Sequence, residues 1–173
     1  MTAYNKSRHL VYLSLVLIIL FTDGCEKDEI SGNVVYDPNL ASELYSKSID
    51  TLTFSSYEYI FEINLYRDFF ATFPARKNHP LIAVAYLVNI DSLAVSKDLT
   101  IVRLYVINSS LIWITSLKEG NGYLPEFKLE RINVEGPEWD TGIYIDAILE
   151  VKSIMTMKTY FLISRHQYIE RTE

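Results

Sequence analysis

Cysteine is almost missing from this 173-residue chain: Cys25 is the only one. An internal disulfide is thereby excluded, and the fold must be held by its apolar core alone. Histidine is nearly as scarce. His9, His79 and His166 are the only three, and none stands in a His-x-x-x-His or cysteine-bearing spacing, so no metal centre is expected. With 6 glycines in all, the chain has no glycine-rich phosphate loop and no Gly-x-Ser-x-Gly elbow. Nucleotide chemistry and serine hydrolysis therefore lack a recognisable site. Positive charge is also in deficit, with 16 Lys and Arg against 22 Asp and Glu for a net charge of −6. That balance opposes nucleic-acid binding, which needs clustered cations to neutralise phosphates. It argues equally against docking on anionic headgroups.

What the chain does have begins at its N-terminus. Lys6, Arg8 and His9 form a cationic start, Leu10 to Phe21 supply twelve almost wholly apolar residues, and Thr22-Asp23-Gly24 lead into Cys25. As a helix, twelve residues would span roughly 18 Å, short of the roughly 30 Å hydrocarbon core that a permanent anchor crosses. This segment resembles the signal of bacterial lipoprotein precursors, with small Gly24 preceding the thiol that receives diacylglycerol. Thr22 and Asp23 depart from the usual residues of that motif. Glu26-Lys27-Asp28-Glu29 resembles the charged tag that sends Bacteroidota lipoproteins to the outer face of the outer membrane. The resemblance implies removal of residues 1–24, lipidation of Cys25, and a location at the outer membrane on the cell surface, or else facing the periplasm. Secretion with a spare thiol and retention of the segment as an anchor are the rival readings.

Removal of residues 1–24 leaves 149 residues with a net charge of −7, a length suited to one domain. Residues 25–50 read as the lipidated cysteine and a flexible tether, with a short helix after Asp37-Pro38 running to about Lys47. A coil of 25 residues would reach roughly 25–30 Å, enough to hold a domain clear of the membrane.

From Thr51 onward the apolar period is two, the mark of strands with a buried face. Tyr57, Tyr59, Phe61, Ile63 and Leu65 alternate with polar neighbours; Leu81 to Ile90, apolar on both faces, reads as a central strand. Leu99 to Ile107 and Leu111 to Thr115 follow, separated by a turn at Asn108-Ser109-Ser110. Between Phe127 and Glu135 the parity slips, which predicts a bulge near Arg131. Ile143, Ile145, Ala147, Leu149 and Val151 form one face of a further strand. Met157 to Ile163 and Tyr168 to Thr172 read as two last strands, turning at Ser164 to Gln167. The expectation is an all-β domain over residues 51–173: an antiparallel β-sandwich, immunoglobulin-like, of seven to nine strands.

Arg67-Asp68-Phe69, Pro80-Leu81-Ile82, the Trp113 strand, Gly136-Pro137-Glu138-Trp139, Ile145-Asp146-Ala147 and Ile169-Glu170-Arg171-Thr172 resemble landmarks of small, uncharacterised Bacteroidota secreted proteins and lipoproteins. The likeness covers residues 57 to 173 and implies no particular activity.

Carboxylates four apart on a strand, such as Glu58 with Glu62 or Asp146 with Glu150, lie roughly 13 Å apart, too far for a glycosidase pair unless neighbouring strands unite them. Ser164 near His166 is proximity on a turn. No catalytic residue and no cofactor is therefore expected. Trp113, between Ile112 and Ile114, reads as core. Trp139, flanked by Glu138 and Asp140, reads either as an indole exposed to a sugar ring or protein partner, or as a cap over the sandwich end. Arg67-Asp68 reads as an ion pair beside the Pro74 to Pro80 loop, where Arg76, Lys77 and His79 gather the only local positive charge, either as a solvated loop or as a contact for an acidic ligand. The composite expectation is a lipid-tethered, non-catalytic module that binds an envelope protein or glycan through Trp139, Glu138 and Asp140. The alternative is a structural subunit of an envelope assembly.

Overall fold

The computed structural model describes residues 33–70, 77–120 and 122–173. The signal-like segment, Cys25 and Arg76 lie outside the described residues. Eleven strands and one helix follow in the order β1 (Asn33–Tyr36), α1 (Pro38–Lys47), β2 (Ser48–Ile49), β3 (Thr51–Phe54), β4 (Tyr57–Asp68), β5 (Leu81–Asn89), β6 (Leu99–Asn108), β7 (Leu111–Thr115), β8 (Lys118–Glu119), β9 (Lys128–Asn133), β10 (Tyr144–Ser153) and β11 (Thr159–Thr172). The all-β expectation holds. The pairing is mixed rather than wholly antiparallel, because β11 runs parallel to both β2 and β4.

Neighbouring strands form one curled path, β1-β7-β6-β10-β11-β4-β5-β9-β8, with β2 added on β11 and β3 on β4. β11 is the joint. Its first part pairs antiparallel with β10, and Ile169–Thr172 pair with Leu65–Asp68 of β4. Instead of two strands turning at Ser164 to Gln167, a single fourteen-residue strand passes from one half of the sheet to the other. The turn-like composition there marks a bulge. Between Ile145 and Ala147 of β10, the partner on β11 steps from Gln167 to Ser164, one residue more than regular pairing requires. His166 takes up the extra length at φ 55, and the Asp146 Oδ1 accepts its backbone N–H at 2.8 Å.

Alternation along each strand sorts side chains into two clusters. Leu104 and Val106 of β6, Trp113 of β7, Leu149 of β10 and Leu162 of β11 join Phe61, Ile63, Ala83 and Leu87 from the other half in the main core. Their neighbours in sequence, Tyr105, Ile107, Ile112, Ile148 and Ile163, point the other way and are covered by Ala41 and Leu44 of α1. The first half of the sheet is therefore buried on both faces. This explains why Ile112 and Trp113 are consecutive and both fully buried.

Asp37 caps α1, its Oδ1 accepting the N–H groups of Asn39 at 3.0 Å and Leu40 at 2.9 Å, with Pro38 in the first turn. The helix matches expectation. The tether around it does not extend as far as residue 50: β1 pairs with β7 from Asn33 to Tyr36, and α1 lies on the sheet. Four residues of β1 carry too little apolar alternation to announce a strand. Their order comes from hydrogen bonding to β7.

β5 is central as expected, between β4 and β9, and β6–β7 form the hairpin closing at Ser109-Ser110. The bulge predicted near Arg131 is absent, since β9 pairs with β5 in unbroken register from Lys128 to Asn133. Every residue of β9 is partly buried, with two-residue β8 beyond it, so neither face demands strict alternation. Irregular register falls instead on β10, at Ile145/Ala147 and Glu150/Val151.

Gly136 shows how tightly the sheet is closed. It sits beside Leu81, donating its N–H to that carbonyl at 3.0 Å, while Leu81 donates to Pro137 O at 3.3 Å. A Cβ at Gly136 would lie 2.6 Å from Leu81 O and 2.8 Å from Trp113 Cη2. Backbone and a fully buried indole cannot both give way. Gly136→Ala is expected to destabilise the protein by about 1–3 kcal/mol, read as a lowered denaturation midpoint; an unchanged midpoint would show the loop is free to shift.

Candidate functional site

Two neighbourhoods lie at one end of the sheet, and the first brings together Arg67, His79, Glu138 and Trp139, all singled out from the sequence. The first is built around Arg67, near the end of β4, whose side chain is 11% exposed. Its Nε donates to His79 O at 2.6 Å and its Nη1 to Trp139 O at 3.0 Å and Glu138 O at 3.4 Å. Nη2 reaches the Glu138 carboxylate at 3.4 Å. One guanidinium thus ties the β4–β5 connection to the loop carrying Trp139, using its planar fork of donors as lysine could not. Trp139 is half-buried and packs against the main core, while Glu138 and Asp140 are exposed.

Phe69 continues this corner. His79 stacks on its ring at 4.5 Å, with Nδ1 2.7 Å from Asp68 O. Arg67 and Arg171, register partners on adjacent strands, lie 5.1 and 4.1 Å from the same ring. The ring face accommodates two like charges in close quarters. Glu138 answers Arg67, and Glu173 pairs with Arg171. These contacts engage Arg67 and Arg171, while Lys77 stands exposed.

The second neighbourhood is a pocket of about 250 Å³ lined by Tyr45 of α1, Ile107 and Ser109 at the β6–β7 turn, Tyr144, Ile145 and Asp146 of β10, and His166 of β11. Local structure explains each placement. α1 descends from Asp37, whose N–H bonds Ser110 O, so Tyr45 faces the start of β10. The bulge at His166 turns its backbone toward Asp146. The Asp146 carboxylate accepts the Tyr45 hydroxyl at 2.8 Å through one oxygen and the His166 N–H at 2.8 Å through the other. Burial, then the hydrogen bond and negative charge of Asp146, push the Tyr45 phenol up to about 12. Tyr144 and Tyr168, paired across β10 and β11, meet at 5.2 Å between ring centroids and are 67% and 47% exposed. Gly142 at φ 84 lies next to them, where an added Cβ would sit 3.7 Å from the Tyr168 hydroxyl.

The sequence did not single out Tyr45, Tyr144 or Tyr168. Thirteen tyrosines scattered along the chain look alike until the strands are paired. The carboxylates weighed for catalysis stay apart: β11 separates the strand of Glu58 and Glu62 from that of Asp146, and Glu62 pairs with Lys128 at 2.8 Å. Among the described residues, no group of three His, Cys, Asp or Glu is placed to hold a metal ion, and no helix is long and apolar enough to cross a membrane. Trp113 is fully buried in the main core, as its flanking isoleucines indicated.

No protein-family model matches this chain, and comparison with curated proteins and with solved structures likewise gives no match.

Tyr45 gives a pH test with a definite sign. Below pH 10 the phenol is protonated in both folded and unfolded chains, so its contribution is complete. Between the ordinary value of 10.0 and about 12 the unfolded phenol ionises first. Stability must then fall as pH rises through that window. Tyr59, Tyr86 and Tyr105 are raised too, chiefly by burial, and add to the same trend. Tyr45→Phe should therefore flatten the loss of stability from pH 10 to 12 relative to the parent, measured as denaturation midpoint against pH; identical slopes would count against the Tyr45–Asp146 contact.

Proposed function

We propose that this chain is a lipid-tethered protein of the bacterial outer membrane, displayed on the cell surface, whose β domain is a non-catalytic module binding a glycan or protein partner. The observation that carries the binding role is the pocket beside Tyr144. It joins exposed rings to a fixed carboxylate, an imidazole and a serine hydroxyl, the mixture of apolar face and convergent polar groups that ligand sites use. The Arg67 clamp and the packing of Trp139 on the core favour Tyr144 and Tyr168 over the indole as the contact surface. Glu138 and Asp140, exposed on the loop that leads into β10, are the further residues of this reading. Loops gathered at one end of two facing half-sheets would serve as they do in an immunoglobulin-like sandwich.

The tether rests on Lys6, Arg8, the apolar run Leu10 to Phe21, Gly24 and Cys25. Two or three acyl chains hold a protein firmly to a bilayer, where one would bind marginally. A second reading, a subunit within an envelope assembly, is favoured by β1. Among the described residues this strand ends the sheet and pairs only with β7, and it leaves Val35 and Tyr36 exposed, an edge on which another chain could add a strand.

Tyr144→Ala should weaken retention on a polysaccharide array, or on a captured envelope partner, by about tenfold or more, with little change in melting temperature. Trp139→Ala should instead lower the melting temperature. A Trp139→Ala protein that stays equally stable yet loses binding would return the contact to the indole. Stoichiometric partners after mild detergent extraction, lost on disrupting β1, would favour the assembly reading.

Labelled palmitate should enter the parent protein and fail to enter Cys25→Ser; label in the variant would refute the acceptor.

A further inference from the structure

The two ends of the molecule are distinguished by strand register. β10 begins beside Ile107 and ends at Ser153 opposite Leu99, so the β10–β11 turn lies at the end where β6 starts, away from the Tyr144 pocket. The β5–β6 loop leads into β6 at that same end. This far end exposes aliphatic and thioether side chains. Ile154, Met155 and Met157 are 57%, 84% and 62% exposed on the turn, and Ile90 and Leu93 are exposed on the loop.

The turn is not loosely built. Asp98 accepts the Met155 N–H at 2.6 Å through Oδ1 and the hydroxyl of fully buried Ser153 at 2.8 Å through Oδ2, while the Ile154 N–H donates to Asp98 O at 2.8 Å. The Ser153 hydroxyl also accepts the Thr156 N–H at 3.0 Å, and the Ser153 N–H meets Lys158 O at 2.9 Å. Met157 is held at φ 59, a conformation uncommon for residues other than glycine. Single exposed apolar residues are ordinary on a protein surface. A hydrogen-bonded scaffold that holds three apolar side chains out to solvent within four consecutive residues is not.

The entry of the chain indicates what covers them. Asn33 pairs with Ile114, Ile114 with Tyr105, and Tyr105 with Ile148, which stands six residues before Ile154 on β10. At about 3.3 Å per residue, Asn33 lies roughly 20 Å from the turn. β1 runs from Asn33 toward the pocket end, since Tyr36 pairs with Leu111 beside the β6–β7 turn. Asn33 is therefore the end of β1 that lies nearer the apolar end. Eight residue steps connect Asn33 to Cys25. Fully extended they span at most about 26–29 Å, and as a coil about 14–17 Å. As a coil, a tether of that length is shorter than the roughly 20 Å from Asn33 to the turn, so only near-full extension would hold this end clear of the bilayer.

We propose that the end formed by Ile154, Met155, Met157, Ile90 and Leu93 is a foot that enters the interfacial layer of the membrane to which Cys25 is fastened, turning the Tyr144 pocket outward. The inference rests on the lipid-tether reading of Cys25. Apolar insertion drives the contact, because the chain as a whole is negatively charged. Lys97 and Lys158, both exposed near the foot, can lay their stems along it with the ammonium groups among the headgroups. Neutral phosphatidylcholine is therefore a sufficient surface.

The test uses the full acylated chain in phosphatidylcholine vesicles, with a polarity-sensitive dye on Met155→Cys or, as reference at the opposite end, on Asp140→Cys. The dye at 155 should shift to shorter wavelength and lose severalfold intensity to a quencher on shallow acyl carbons, while the dye at 140 should report water. Mass measurement and vesicle flotation of the same samples establish whether Cys25 carries lipid. A protein that is acylated and floats but reports water at both positions overturns the foot and leaves the tether standing. Quenching at 140 and not at 155 overturns it as well. A protein without lipid that fails to float overturns the tether reading and the foot with it.

Discussion

β11 holds this molecule together because it belongs to both halves of the sheet. Over Thr159 to Tyr168 its backbone groups answer β10; over Ile169 to Thr172 they answer β4, with parallel polarity. A buried strand cannot leave its N–H and C=O groups unpaired without a cost of about 1–3 kcal/mol for each. The transfer from one partner to the other must therefore occur without a gap. The bulge at His166 achieves this by inserting one residue, rotating the strand so that Leu162 and Ile169 both reach the same core. Without that joint, the two halves would have no shared backbone and the main cluster would lose one of its walls.

The same bulge creates the chemistry of the pocket end. Length added at His166 brings its N–H onto Asp146, and the other Asp146 oxygen is left to hold Tyr45 of α1. Helix, bulge and strand are thus locked by one carboxylate, with Tyr144 and Tyr168 standing open beside it. Structure and site are not separable here. The Arg67 clamp works similarly on the neighbouring loop, where one buried guanidinium satisfies the carbonyls of His79, Glu138 and Trp139. Polar groups at this end spend much of their hydrogen-bonding capacity on the fold, which leaves aromatic faces as the main surface on offer. At the far end the balance is reversed, since Asp98 and Ser153 use their hydrogen bonds to hold methionine and isoleucine outward.

Alternation of apolar and polar residues was enough to read most of the strands, including the interior position of β5 and both the β10 faces, because period two reports burial directly. The helix was equally legible from Asp37-Pro38. Ser164 to Gln167 misled, since polar residues mark a turn and a bulge alike and only the partner strand distinguishes them. β1 was hidden for a related reason: a four-residue edge strand is ordered by hydrogen bonds to β7, which leave no trace in hydropathy. Trp139 stands out in the sequence, but neither its packing on the main core nor the hold of Arg67, seventy-two residues away, on its backbone carbonyl leaves a local signal.

Sequence by itself determined the all-β class, the absence of an internal disulfide, the burial of Trp113 and the cysteine at which a lipid tether is proposed. These follow from residue type and local period, which act over a few neighbours along the chain. Tertiary structure alone decided the mixed pairing, the passage of β11 between the halves, the pocket around Asp146 and the end toward which β1 enters. Those depend on which strand lies beside which, and hydrogen bonds between distant backbone segments carry no local signature in the residues that make them.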